Sequence, residues 1–217
     1  MKGSEVRPQV EPLTPTAQKV LDAAVLLLRE TGQLSMRRLA QTAGVAGMTP
    51  YNLFGSKHGL LAALSQNELN AAMRRLDSTP HQDSLRRIFT TLDLGFDTFG
   101  KEPDYYKALY RAAYASNDPT MVEVFQAPRI AYWNSLLEAC RKDGFLEKAT
   151  RSDTLTQVLM YTYTGAVGRW IEHTISTRQL YAEINYTLMI LLLSHVAPHA
   201  RDAVQQRMRH WERFLHA

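Results

Sequence analysis

The chain has 217 residues, of which 45% are hydrophobic and 21% charged, and its net charge is +4. This is the composition of a globular protein rather than a disordered one. The small net charge excludes a uniformly basic coat, so any nucleic-acid contact has to come from a local patch. A single cysteine, Cys140, excludes an intrachain disulfide and a cysteine-rich metal site.

Residues 1–13 are polar, with prolines at 8 and 12, and read as a loose arm. No apolar stretch follows Lys2, and the longest strongly apolar run, Leu188 to Leu193, is far too short to cross a bilayer. The expectation is a reduced, soluble, cytoplasmic protein with no membrane partner. Thr14-Pro15 has the form of an N-cap followed by proline at the first helical position. From there Ala17, Val20, Leu21, Ala24, Val25 and Leu28 form one apolar stripe, which Thr31-Gly32 ends. Leu85, Ile88, Phe89, Leu92 and Phe96 mark another helix. Tyr106, Leu109, Tyr110 and Ala113 mark the next, opened by Pro103 and stopped near Asn117-Asp118-Pro119. A long pattern from Met121 to Cys140 ends at Gly144. Helices over Leu155–Ile175, Tyr181–Val196 and about Ala200–Leu215 complete the chain. No alternating run and no hairpin turn interrupts this period. The fold class predicted is all-α, with about nine or ten helices: a small N-terminal domain over 14–62 and a larger helical bundle over 63–217.

Residues 34–57, LSMRRLAQTAGVAGMTPYNLFGSK, form two short amphipathic helices around Ala43-Gly44-Val45. Ser35 can cap the first. Gly44 suits the left-handed backbone of a tight turn, and Val45 plugs the angle between the helices. This is the layout of a helix-turn-helix, whose second helix is presented to the DNA major groove. Charge agrees. From Thr31 to Asn67 there is no Asp or Glu, while Arg37, Arg38 and Lys57 give the stretch +3. Scattered carboxylates would repel a polyanion. An ordinary solvated helix pair is the alternative.

The first helix ending in Gly32, then Leu39-Ala40, Ala43-Gly44-Val45, Tyr51, Phe54, Ser56-Lys57 and Leu60-Leu61, resembles the DNA-binding domain of TetR-family transcriptional regulators. The resemblance covers about Ala17 to Leu64. Beyond it, only length, helical layout and a Gly144-Phe145-Leu146 turn before a helix with Gly165, Gly168 and Trp170 are similar. The resemblance implies a regulator, not an enzyme, without a cofactor, and assigns DNA contacts to Ser35, Met36, Arg37, Gly47, Met48, Thr49, Tyr51, Asn52 and Lys57. Ser35 and Tyr51 would donate to phosphates, and Lys57 would hold one beside the free N–H groups of the fourth helix. Arg37 can reach a phosphate or a base edge, and Asn52 can pair with adenine. Arg38 points elsewhere, and Leu53 and Phe54 are assigned to packing.

Two departures stand out. Ala46 and Gly47 are small where the family often carries polar and basic residues. Pro50 sits awkwardly if the recognition helix starts near Ala46, whereas Thr49 as cap and Pro50 as first residue suit the local sequence. The earlier start, with a loose first turn, is expected here. Either way this helix carries no charge.

In the larger half, Tyr105, Tyr106, Tyr110, Tyr114, Phe125, Tyr132, Trp133, Tyr161, Tyr163 and Trp170 crowd together. Rings with hydroxyl tips suit an apolar pocket with a few polar anchors, although for any single ring a core role is the default. Tyr110, Tyr114, Trp133 and Tyr163 are the candidates for a small-molecule effector, with Arg169 and His173, four apart, as anchors for an anion. Leu155, Val158, Leu159, Thr162 and Ala166, then Ile184, Leu188, Leu191 and Leu192, need cover that a second copy in a homodimer can supply; the last helix, Asp202–Leu215, is the alternative cover. Enzyme signatures are missing: there is no nucleophile elbow, phosphate loop, HExxH or diagnostic carboxylate pair. His195 and His199 are four apart, but Pro198 lies between them and no third metal ligand is evident. A sequence-neutral architectural DNA binder is disfavoured by the weak overall charge.

Overall fold

The computed structural model describes residues 13–79, 83–114 and 119–215. The arm over 1–12 and the stop expected at Asn117-Asp118 lie outside the described residues. Among the described residues ten α-helices follow in chain order: α1 Pro15–Thr31, α2 Met36–Ala43, α3 Thr49–Phe54, α4 Lys57–Asp77, α5 Ser84–Lys101, α6 Pro103–Tyr114, α7 Pro119–Lys142, α8 Ser152–Ile171, α9 Thr177–Leu193 and α10 Arg201–Glu212. Among the described residues there is no strand. A lone antiparallel bridge, Leu146 to Val196, ties the turn after α7 to the segment after α9, so the all-α expectation holds.

The helix starts have local causes. Thr14 accepts a hydrogen bond from the Ala17 N–H at 3.2 Å, and Pro15 occupies the first turn, where its missing N–H costs nothing. Asp83 caps α5 through the Arg86 N–H at 2.7 Å. Ser176 and Gln179 form a reciprocal capping box at the start of α9.

The predicted ends of α8 and α10 run too far. α8 stops at Ile171, and His173 beyond it takes φ 59°, which breaks the helical path. α10 stops at Glu212. α9 ends at Leu193 and Pro198 opens a short 3-10 turn, so His195 and His199 do not share a helix.

One apolar core runs from Val20 and Leu21 on α1 to Val204 and Trp211 on α10. Leu188 and Leu192 are fully buried, and α10 packs closely on α9, so the last helix supplies cover within the chain. On α8, Val158 and Tyr161 stay exposed, as does Ile190 on α9. Among the described residues no helix is long and apolar enough to cross a membrane.

α4 gives the molecule its long-range connection. Its 21 residues span about 30 Å at the α-helical rise. It packs on α3, α5, α6 and α7, meeting α6 and α7 through Glu68 and Ser65 and α5 through Arg75 and Asp77. The expected boundary at residue 62 falls inside this unbroken helix.

Candidate functional site

The turn between α2 and α3 is built as the spacing predicts. Gly44 takes φ 59° and ψ 44°, and its N–H and that of Val45 close on the Gln41 and Ala40 carbonyls at 3.1 and 3.0 Å. A side chain at Gly44 would strain that left-handed backbone. Val45 is half-buried against the core, as is Phe54.

α3 starts at Thr49 rather than near Ala46. Ala46–Met48 form a turn in which the Thr49 N–H donates to the Ala46 carbonyl at 2.9 Å. The first full helical bond into α3 is from the Asn52 N–H to the Met48 carbonyl, also at 2.9 Å. Pro50 lies in the first turn with its ring buried. There the absent N–H breaks no bond, whereas in the earlier-start helix it would sit where a donor is needed. The start suggested by Pro50 itself is therefore within one residue of the observed one.

A glycine that the sequence reading passed over fixes α3 against α4. A Cβ on Gly59 would lie 2.0 Å from the Phe54 carbonyl oxygen. Only a residue without Cβ lets the end of α3 approach the first turn of α4 so closely. Ser56 caps α4 through the Gly59 N–H at 3.1 Å, leaving Lys57 exposed at the first helical position.

Of the nine residues assigned to this face, Ser35, Arg37, Gly47, Met48, Tyr51, Asn52 and Lys57 are exposed and Thr49 is half-exposed. Ser35 occupies the N-cap of α2, but its hydroxyl makes no capping bond, so the hydroxyl is free to donate outward. Met36 is a correction: it is buried in the core with Leu39 and Ala43, because its position on α2 faces α1. Leu53 is a second correction, since it is 37% exposed rather than packed away. With Met48 at 63% it gives α3 an apolar exposed edge. The face as a whole offers hydroxyl, amide, guanidinium and ammonium donors with no carboxylate among them.

A second site lies in the bundle. A cavity of about 110 Å³ is lined by residues of α4, α5, α6, α7, α8 and α9. Tyr110, Trp133 and Tyr163 line it as expected, together with Phe99, Arg129 and Tyr181. Tyr110 and Tyr163 join through their hydroxyls. Burial is the largest cause pushing the Tyr110 and Tyr181 hydroxyls well above their ordinary range, so both are neutral at pH 7. Tyr114 does not line the cavity; its hydroxyl accepts from Gln126 Nε2 at 2.8 Å, and Gln126 also donates to Thr164 at 2.9 Å. Arg169 and His173 are further corrections. Arg169 is exposed in an ion pair with Glu183, and exposed His173 contacts Lys107 Nζ at 2.9 Å, so neither reaches the cavity. Tyr161 faces solvent, and Trp170 is fully buried in the core.

Two polar links tie α4 to this region. Ser65 donates to the Phe125 carbonyl of α7 at 3.0 Å. Glu68 accepts from the Tyr105 and Tyr106 hydroxyls of α6 at 2.9 and 2.8 Å. Among the described residues no group of three His, Cys, Asp or Glu is gathered as a metal would need.

No protein-family model matches the sequence, and no curated protein matches it. Solved structures do. A TetR-family repressor from Thermus thermophilus, FadR in complex with lauroyl-CoA, superposes with a TM-score of 0.65 at 18% identity, covering 81% of this chain and 93% of that one. A TetR transcription regulator from Haloarcula marismortui gives 0.63 at 18% identity, over 85% and 100%. The fatty acid degradation regulator FadR of Bacillus halodurans gives 0.61 at 18%, over 84% and 97%. The chain therefore has the fold of the TetR-family transcriptional regulators.

Proposed function

We propose that the protein is a DNA-binding transcriptional regulator that acts as a homodimer and is released from a palindromic operator by a small molecule. The observation that carries this reading is the acid-free α2–α3 face, with Arg37, Tyr51, Asn52 and Lys57 exposed and the Ser35 hydroxyl unbonded. Lys57, Tyr51 and Ser35 hold phosphates. Asn52 and Arg37 read base edges. Met48 and Leu53 add van der Waals contact, for instance to thymine methyls.

A dimer places two such faces about one DNA turn apart, matching a two-fold operator. The exposed Val158, Tyr161 and Ile190 on α8 and α9 favour pairing through those helices. The bundle cavity takes the effector. A ligand there bears on α4 through Ser65, Glu68 and Leu69, and α4 carries the reading face at its other end. A ligand that fits only one setting of α4 shifts the population toward that setting and away from DNA-competent spacing.

The test is selection of bound fragments from the source organism's genomic DNA, followed by band-shift assays of the recovered sites at low ionic strength. Recovery of inverted repeats with half-sites about 10 base pairs apart is expected. Failure of the effector-free protein to shift any genomic fragment would refute the reading.

A further inference from the structure

Several polar groups around the cavity are paired. Glu68 holds Tyr106, the Tyr110 and Tyr163 hydroxyls hold one another, and Tyr132 shares a hydrogen bond with Thr91 at 3.2 Å. Arg129, on the cavity wall, is different. Its Nη1 is buried and has no hydrogen-bond partner. Its guanidinium carbon lies 5.6 Å from the centre of the Tyr110 ring and 5.2 Å from that of Tyr163. Among the described residues it pairs with no carboxylate and lies against tyrosine rings instead. An arginine cannot shed its proton to escape burial. Ring faces return only part of what a guanidinium loses with its water. The positive charge of Arg129 thus has no negative partner of its own, since Glu68, the carboxylate on the same lining, is held by Tyr105 and Tyr106. It borders a space several times larger than the ~10–15 Å³ that one trapped water needs.

We propose that the cavity binds an organic monoanion, an apolar body bearing one carboxylate, with the carboxylate on the Arg129 guanidinium and the body against Phe99, Trp133 and Leu159. This rests on reading the cavity as the effector site. The chemistry follows from the unmatched charge. A carboxylate supplies the missing acceptor in its strongest form, a charge-assisted bond. A neutral alcohol or ester of the same length leaves the guanidinium uncompensated. The position also explains how binding is felt elsewhere. Arg129 lies four residues from Phe125, whose carbonyl accepts the α4 hydroxyl of Ser65. Pro128, inside α7 between them, removes one main-chain bond and leaves that turn easier to displace.

The experiment is calorimetric titration of the full-length protein with octanoate, octanol and methyl octanoate. Octanoate is expected to bind at least about tenfold more tightly than either neutral analogue. Arg129→Met is expected to abolish the preference while keeping or raising the melting temperature, because it removes an unpaired buried charge. Arg129→Lys is expected to retain a weaker preference. Equal binding of acid and neutral analogues by the wild type, binding of none of the three, or an undiminished preference in a folded Arg129→Met would each overturn the proposal. The wild-type comparison decides even if Arg129→Met does not fold. Band shifts of genomic fragments without added ligand keep the two readings apart. Loss of DNA binding with an intact octanoate preference sinks the regulator and spares the cavity chemistry, and the reverse result does the opposite.

Discussion

On the α2–α3 face, among the described residues, Ser35, Arg37, Tyr51, Asn52 and Lys57 make no side-chain hydrogen bond to the protein. In the bundle, by contrast, Tyr105 and Tyr106 converge on Glu68, Gln126 bridges Tyr114 and Thr164, and Arg207 reaches both buried Asn185 at 2.8 Å and Asp93. The physical reason is desolvation. A buried polar group needs a partner inside the protein, whereas one at the surface can remain on water until a partner arrives. Free capacity on a face and committed capacity in a core therefore report different jobs. By the same criterion Arg129 belongs with the first group although it sits in the second.

Substitutions can break or sharpen that contrast. The largest loss of stability is expected from Glu68→Ala, which strips the acceptor from two buried tyrosine hydroxyls. Unfolding in urea should show a loss of about 2–4 kcal/mol. Gly59→Ala comes next. The new Cβ meets the Phe54 carbonyl, so α3 must move off α4, at a cost of about 1–3 kcal/mol. Because the displaced element is the proposed reading helix, operator affinity should fall further than stability in band-shift assays; full affinity would show that α3 is not docked as described. Removing groups from the face itself should do the reverse. Lys57→Ala combined with Tyr51→Phe is expected to leave stability within about 0.5 kcal/mol. It should weaken binding to all sequences alike and flatten the salt dependence by about one unit, for one lost cationic contact. Asn52→Ala should instead change preference at one base position.

What could be read from the sequence was what local chemistry decides. Thr14-Pro15 is a capping signal wherever it stands, and Ala43-Gly44-Val45 demands a left-handed turn, so α1 and the bend before α3 were legible. Pro50 carried the true start of α3, but analogy with a family pulled the expectation three residues earlier. Met36 was misplaced because two residues on either side of a short helix's stripe look alike until its partner helix is known. Gly59 was invisible, since nothing local requires a glycine there; the need arises from a backbone oxygen on another helix. Arg169 and His173 drew attention by spacing, yet the helix ends between them. The arginine that matters left a fainter trace. Arg129 falls on the same stripe as Phe125, Tyr132 and Trp133, and a cation among aromatic core positions is a signal that periodicity alone exposes.

The smallest effect expected concerns a surface contact within the bundle. Two hydrogen bonds from Arg141, at 2.8 and 2.6 Å, hold the Glu138 carboxyl down to about 2 against the opposing effect of burial, with Ser152 of α8 adding a third. A carboxyl that holds its proton less tightly in the folded chain than in the unfolded one stabilises the fold at every pH above its ordinary value of 4.5. That contribution fades as the pH falls from there through about 2. Both partners are wetted by solvent, which screens the pair and keeps the effect small. Melting curves of the wild type and Glu138→Gln, taken from pH 6 to pH 2.5, should differ most at pH 6 and converge toward the acid end. A gap of constant size across that range would mean that Glu138 acts by packing α7 against α8 rather than by its charge. It would also place this residue with the neutral Gln126 bridge rather than with the ion pairs.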